Sequence, residues 1–168
     1  SKDYEAAVAA YSKAVELDPK DQASFAKLGR SFIELKRFEQ GLMAYEHALQ
    51  LDPKDAEVWF QRAEALEWLD RDQDALSSVQ EAMRLKATTP EYRVKEGMLL
   101  KNLGKPEDAL RAYDQALRLS PRNVAVLNSK KDLLKSLKRN DDVIAVCNEI
   151  LQLAPKDRDA LIDKGSAA

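Results

Sequence analysis

Between Asp21 and Asp55 the chain reads DQASFAKLGRSFIELKRFEQGLMAYEHALQLDPKD. Phe25, Leu28, Phe32 and Leu35 recur at steps of three and four, the spacing of residues that share one face of a helix. After the polar Lys36 and Arg37 a second apolar face follows, with Gly41, Leu42, Tyr45, Ala48 and Leu49. Pro53 cannot continue that helix. Asp55 can then cap a new one, its carboxylate accepting from the unpaired N–H groups of a first helical turn. No stretch alternates apolar and polar residues with a period of two, so strands are not indicated. The unit is a helix, a short turn, a second helix and a loop.

The unit recurs. Leu17, Leu51, Leu85, Leu119 and Leu153 stand at intervals of 34 residues. Leu35, Leu69, Leu103 and Leu137 keep the same interval, as do Ala14, Ala48, Ala82 and Ala116. Prolines fall at 19, 53, 121 and 155, with Ala87 in the remaining place. Two residues after each of these stand Asp21, Asp55, Thr89, Asn123 and Asp157, all good N-caps, and Pro90 suits a first helical position. Helices are therefore expected to start near residues 22, 56, 90, 124 and 158, with second helices near 38, 72, 106 and 140 and a lone one over about 3–16. Gly29, Ala63 and Gly97 in first helices, and Ala7, Gly41, Ala75 and Ala109 in second helices, mark close helix crossings. Tyr11, Tyr45 and Tyr113 are expected to fill the space between pairs.

Composition excludes other classes. With 45% hydrophobic residues the 168-residue chain has enough apolar surface to fold, and five glycines and six prolines are too few for a collagen-like or low-complexity chain. The single cysteine forbids an internal disulfide. No apolar run reaches the roughly 18 residues of a membrane span, and a formal charge of −2 speaks against a nucleic-acid-binding or polybasic membrane protein. No signal-peptide pattern opens the chain, which leaves the cytoplasm as the default expectation.

Taken together, Phe25, Leu28-Gly29, Phe32, Gly41, Tyr45, Ala48 and Pro53 resemble the tetratricopeptide repeat pattern, and the resemblance extends over nearly the whole chain. The next unit keeps Trp59, Ala63, Leu66, Ala75 and Ala82 but has Arg62 for leucine and Val79 for the aromatic. The third keeps Gly97, Leu100, Ala109, Tyr113, Ala116 and Pro121. The fourth departs most, with Lys131, Val143, Cys147 and Ile150 where the family has small, small, aromatic and alanine residues. The resemblance implies an all-α fold, a right-handed α-solenoid of stacked antiparallel helix pairs. One array over 1–168 is expected: a half repeat at 1–21, complete repeats at 22–55, 56–89, 90–123 and 124–157, and the start of another at 158–168.

Residues capable of chemistry are sparse. His47 is the only histidine and belongs on an outward face, while Cys147 takes the place of a core tyrosine and reads as a buried, inert thiol. Gly104-Lys105-Pro106 lies in a helix–helix turn without the strand and glycine-rich loop of a phosphate cradle. Asp70, Asp72 and Asp74 lack the glycine and distal acid of a calcium loop. No enzyme, metal or cofactor is expected.

What the resemblance implies instead is protein recognition on a concave face lined by first helices. By register the inner positions include Arg30, Ile33 and Glu34; Glu57, Phe60, Glu64, Glu67 and Trp68; Glu91, Val94, Met98 and Lys101; and Asn128, Asp132 and Lys135. Phe60, Val94, Met98 and Trp68 supply apolar surface beside charge, the usual composition of a partner groove. Glu34, Glu57, Glu64, Glu67 and Glu91 make the middle acidic, whereas Lys130, Lys131, Lys135, Lys138 and Arg139 make the last pair basic. A peptide or helix with basic and apolar residues would complement that middle. The carboxylate clamp by which some relatives hold acidic chaperone tails is absent, its positions being Ala26, Arg30, Gln61, Glu91 and Lys95. The asparagine ladder of sugar-transferring relatives is absent too, with Lys27, Gln61, Lys95, Ser129 and Asp163 in its place. The expected function is a non-catalytic interaction scaffold. Two alternatives are an accessory, substrate-positioning domain of a larger enzyme and self-assembly through the chain ends, where Val8, Tyr11 and Val15 could meet Ala160 and Leu161 of a neighbour.

Overall fold

In a computed structural model residues 2–168 are described, and among them lie ten α-helices and no strand. The chain divides into two compact units, Ser1–Ala87 and Thr88–Ala168. The first holds α1 (Lys2–Leu17), α2 (Gln22–Glu34), α3 (Phe38–Leu51), α4 (Ala56–Trp68) and α5 (Asp72–Leu85). The second holds α6 (Pro90–Asn102), α7 (Pro106–Leu119), α8 (Val124–Ser136), α9 (Asn140–Leu153) and α10 (Arg158–Ala167). In the first unit α2 pairs with α3 and α4 with α5, while α1 packs on α2 and α3 on α4. In the second α6 pairs with α7 and α8 with α9, while α7 packs on α8 and α9 on α10. This is an all-α solenoid of helix pairs. No helix among the described residues is long and apolar enough to cross a membrane.

The first helices begin at residues 22, 56, 90, 124 and 158, where the capping column places them. Asp21 accepts from the Ser24 N–H, Asp55 from Glu57 and Val58, Asn123 from Val126, and Asp157 from Ala160. Thr89 makes no such side-chain bond; there Pro90 opens α6, where a missing N–H costs nothing. The turns inside the pairs rest on a different device. Lys36, Asp70, Gly104 and Lys138, spaced like the repeats, all adopt positive φ, at 59°, 56°, 69° and 57°. The next residue's N–H then reaches back five positions: Arg37 to Phe32 O, Arg71 to Leu66 O, Lys105 to Leu100 O and Arg139 to Leu134 O, at 2.9–3.1 Å. These left-handed caps satisfy carbonyls that a helix end leaves open. Only one of the four is a glycine, so the other three carry a steric cost.

Packing inside a pair turns on one complementary couple. A Cβ added to Gly29 would lie 2.7 Å from the Tyr45 ring, and one added to Gly97 would lie 2.6 Å from the Tyr113 ring. Both tyrosines are buried, 2% and 1% exposed, and each ring sits against its own partner helix. Tyr45 and Tyr113 thus meet the glycine within their pair, where an expectation read from spacing had set them between pairs. In the second repeat the couple becomes Ala63 and Val79, both fully buried. In the fourth it becomes Lys131 and Cys147, a large side chain on the first helix facing a small one on the second. Lys131 is 3% exposed, and its ammonium pairs at 2.8 Å with Asp163 of α10, which also meets Lys135. Arg62, in the position of Leu28, is satisfied in the same spirit: it donates to Ser78 Oγ at 2.6 Å and to Glu46 at 3.0 Å.

Candidate partner-binding surface

In the first unit the charged inner positions gather round one phenol. Arg30 and Glu34 are exposed on α2 and Glu57 on α4, while Phe60, Glu64 and Glu67 of α4 are half-buried. Burial first, and then the charges of Glu64, Glu34 and Glu57, hold the Tyr45 hydroxyl well above the usual tyrosine range, with Arg30 opposing them. α2 and α4 therefore place three carboxylates and one guanidinium close enough to act on a single oxygen. Glu57 also accepts from the Gln61 amide at 3.1 Å, which fixes it along the helix. Two of the apolar positions are engaged within the fold. Ile33 lies against Gly41, its methyl 2.5 Å from where a Cβ would stand. Trp68 stacks on Phe38 of α3, ring centroids 5.3 Å apart and nearly parallel at 6°, and still exposes 66% of its surface. One indole face is covered and the other is open.

In the second unit a cleft of about 340 Å³ separates α6 from α8. Its floor is Val94, Met98, Ala125 and Val126, and its rim is Glu91, Lys95, Asn123 and Ser129. Met98 is 36% exposed there. Lys101, although in inner register, is exposed and lies outside this lining. Asn128, Asp132 and Lys135 line a separate, polar cleft of about 460 Å³ with Lys131, Asp157, Asp159, Ile162 and Asp163. There the two lysines are tied to Asp163, so the basic character expected of the last pair is partly neutralised.

A third cleft, of about 310 Å³, lies along α7, α8 and α9 and includes Glu107, Asp114, Lys130, Arg139, Asp142 and Glu149. Inner-face register does not reach it. Arg139 bridges Glu107 at 3.2 Å and Asp142 at 2.7 Å, and Lys130 pairs with Asp114 at 2.6 Å. The signal for it was a spacing of 32, since Arg37 meets Glu5 in the same way at 2.8 Å. Exposed pairs of this kind contribute about 0–1 kcal/mol each.

His47 is exposed and stacks on Phe25 at 5.2 Å. Cys147 is buried, and burial raises its thiol pKa, which disfavours the thiolate. Among the described residues no group of three His, Cys, Asp or Glu side chains is arranged to hold a metal.

Known proteins place the chain. No curated protein matches the sequence. Among solved structures, MamA is similar at 21% identity and a TM-score of 0.87, over 92% of this chain and 91% of that one. YrrB, described as a tetratricopeptide repeat protein with an unusual peptide-binding site, is 21% identical at a TM-score of 0.82 over 98% and 84%. A thermophilic tetratricopeptide repeat protein of Thermus thermophilus, TTC0263, is 23% identical at 0.70 over 98% and 90%. At these identities the neighbours speak to the fold alone. The sequence itself matches tetratricopeptide repeat models at residues 1–21, 26–90 and 90–123. With helix pairs, caps and glycine–tyrosine couples recurring in phase with those matches, the chain belongs to the tetratricopeptide repeat family.

Proposed function

We propose that the chain is a non-catalytic scaffold that binds a peptide or helical segment of a partner protein. The observation that carries this reading is the apolar-floored cleft between α6 and α8, open to solvent at Met98 and rimmed by Glu91 and Lys95. A cleft of that size takes one or two apolar side chains, while charged groups on its rim set orientation. The acidic group of Glu34, Glu57 and Glu64 in the first unit, taken by itself, favours a segment that carries Lys or Arg. The same charges disfavour the acidic C-terminal tails that some relatives bind. The peptide-binding site ascribed to YrrB supports a peptide as ligand class.

Selection of random peptides displayed on phage, followed by affinity measurement by fluorescence polarisation, tests the reading. Sequences that depend on the α6–α8 cleft should be apolar, and those that depend on the acidic first unit should be basic. Met98→Glu, which puts a charge on the cleft floor, should weaken the apolar ones tenfold or more with helical content unchanged. Glu64→Lys and Phe60→Ala should weaken those that depend on the acidic unit. Selection of acidic sequences, or equal affinity for Met98→Glu, would refute it.

A further inference from the structure

The fold already holds a guanidinium on an indole once. Arg62 Cζ lies 5.7 Å from the centre of the Trp59 ring, and the same guanidinium donates to Glu46 at 3.0 Å. Trp68, on the same helix, offers a second indole face. Its inner side lies parallel on the Phe38 ring, which fixes the plane of the indole, while most of the residue stays exposed. Among the described residues no cation stands over it. Carboxylates flank this ring. Glu64 precedes Trp68 by four residues on α4 and so lies one turn away on the same helix face. Glu34 is exposed at the end of α2, four residues before the Phe38 ring that Trp68 covers. Both glutamates act on the Tyr45 hydroxyl together with Glu57, and Arg30 is the one cation acting against them. The surface beside the indole therefore carries an excess of negative charge.

We propose that the outer face of Trp68 seats an arginine of the partner segment, its guanidinium stacked on the indole and held by the charges of Glu34 and Glu64. The inference rests on the reading of the first unit as a surface for a basic segment, and it names the residue that this surface selects. A lysine ammonium would meet the carboxylates, but it is a compact, strongly hydrated point charge without a plane to stack. A neutral planar side chain would stack and leave the carboxylates unmatched. Arginine does both, because its guanidinium is flat, permanently charged and weakly hydrated. The seat is open to water, so it sets specificity more than affinity, with a preference of roughly two- to fivefold, the strength of an exposed cation–π contact.

A blocked alanine pentapeptide with one central arginine is the probe, compared with versions that carry lysine or citrulline there. The indole N–H signals of the isotope-labelled full chain, followed by NMR, read its binding. Trp59 donates its Nε1–H to Pro53 O at 3.0 Å and serves as the internal control, while Trp68→Leu assigns the other signal. The arginine peptide should shift the Trp68 signal and leave that of Trp59 in place. The lysine and citrulline peptides should bind about two- to fivefold more weakly. Trp68→Leu, followed through backbone amides, should lose the preference for arginine over lysine, and Glu34→Gln should weaken the arginine peptide. Both side chains are exposed, so the circular dichroism of each variant should match that of the wild type. Equal binding of arginine and lysine, or of arginine and citrulline, would overturn the proposal, as would an arginine peptide that leaves the Trp68 signal unmoved. Equal binding of the two cations would leave the acidic surface standing, whereas no binding of either would remove that surface as well. The α6–α8 cleft has its own test in Met98→Glu, so failure of this seat and failure of the scaffold reading are told apart.

Discussion

Replacing Asp163 with alanine should detach α10. The Lys131 ammonium stands 2.8 Å from Asp163, and the two side chains are only 4% and 13% exposed. Without Asp163 the lysine keeps its buried stem beside Cys147 and loses its nearest anion. Removing one partner of a buried pair costs about 3–5 kcal/mol. Lys131 also lines the open polar cleft of the second unit, so water can reach the ammonium, and the lower end, about 3 kcal/mol, is expected. Local opening of α10 should then rise by roughly two decades. Amide hydrogen exchange followed by mass spectrometry reads this segment by segment, with loss concentrated in residues 158–167 and α1–α5 unaffected. The hydrogen bonds from Lys131 and Lys135 hold the Asp163 carboxyl below its ordinary range. Its contribution is therefore complete above the ordinary carboxylate pKa of about 4 and is lost as pH falls through the depressed value. Burial works to lower the Lys131 pKa, but the hydrogen bond and charge of Asp163 outweigh it and leave it raised. That contribution is complete below the unfolded value of about 10.4 and is lost only as pH rises through the higher folded one. Protection of α10 should accordingly hold across neutral pH and collapse in acid, and Asp163→Asn should remove the acid step. Unchanged protection in Asp163→Ala would refute the assignment of this pair as the anchor.

Gly97→Ala should destabilise the second unit, because the new methyl lies 2.6 Å from a ring that is itself 1% exposed. Overpacking costs about 1–3 kcal/mol, offset in part by the roughly 1 kcal/mol helix preference of alanine. Adding Tyr113→Val should recover part of the loss in urea denaturation, and no recovery would show that the couple is not what limits the fit. Lys36→Gly should stabilise the first unit by about 0.5–1 kcal/mol, since a φ of 59° costs a side chain more than glycine's extra freedom in the unfolded chain. A lower denaturation midpoint in that variant would sink the argument. Arg37→Ala removes a pair 42% and 53% exposed, so its effect should stay within about 1 kcal/mol.

The helices were legible because two independent signals coincide. Apolar faces set their number, and the column from Asp21 to Asp157 set where the first helix of each pair begins. The turns inside the pairs were not legible in the same way. Lys36, Asp70 and Lys138 adopt a conformation for which only Gly104 gives a compositional hint. Register was equally blind to what lies opposite a side chain. It placed Ile33 and Trp68 on an inner face, but not that Ile33 ends on Gly41 or that Trp68 covers Phe38. Nor did it reveal why Lys131 is tolerated, because the reason is split between Cys147 and Asp163, on two other helices. Which residues share a helix face is readable as a register, whereas the clefts depend on side-chain lengths across neighbouring helices.

The glycine–tyrosine couple limits how such a chain can be recombined. Gly29 with Tyr45, Ala63 with Val79, Gly97 with Tyr113 and Lys131 with Cys147 each divide one volume differently between two helices. A hybrid that joined the first helix of the fourth repeat to the second helix of the third would set a lysine against a tyrosine, and the reverse join would leave a hole beside Gly97. Crossovers at the loops between pairs keep every couple intact; crossovers at the turns within pairs break one each time. For duplication, deletion or grafting of repeats the module is therefore the pair, and its seams are conditional: one at Pro53 would part Arg62 from Glu46, one at Pro121 would part Lys130 from Asp114, and one at Pro155 would part Lys131 from Asp163.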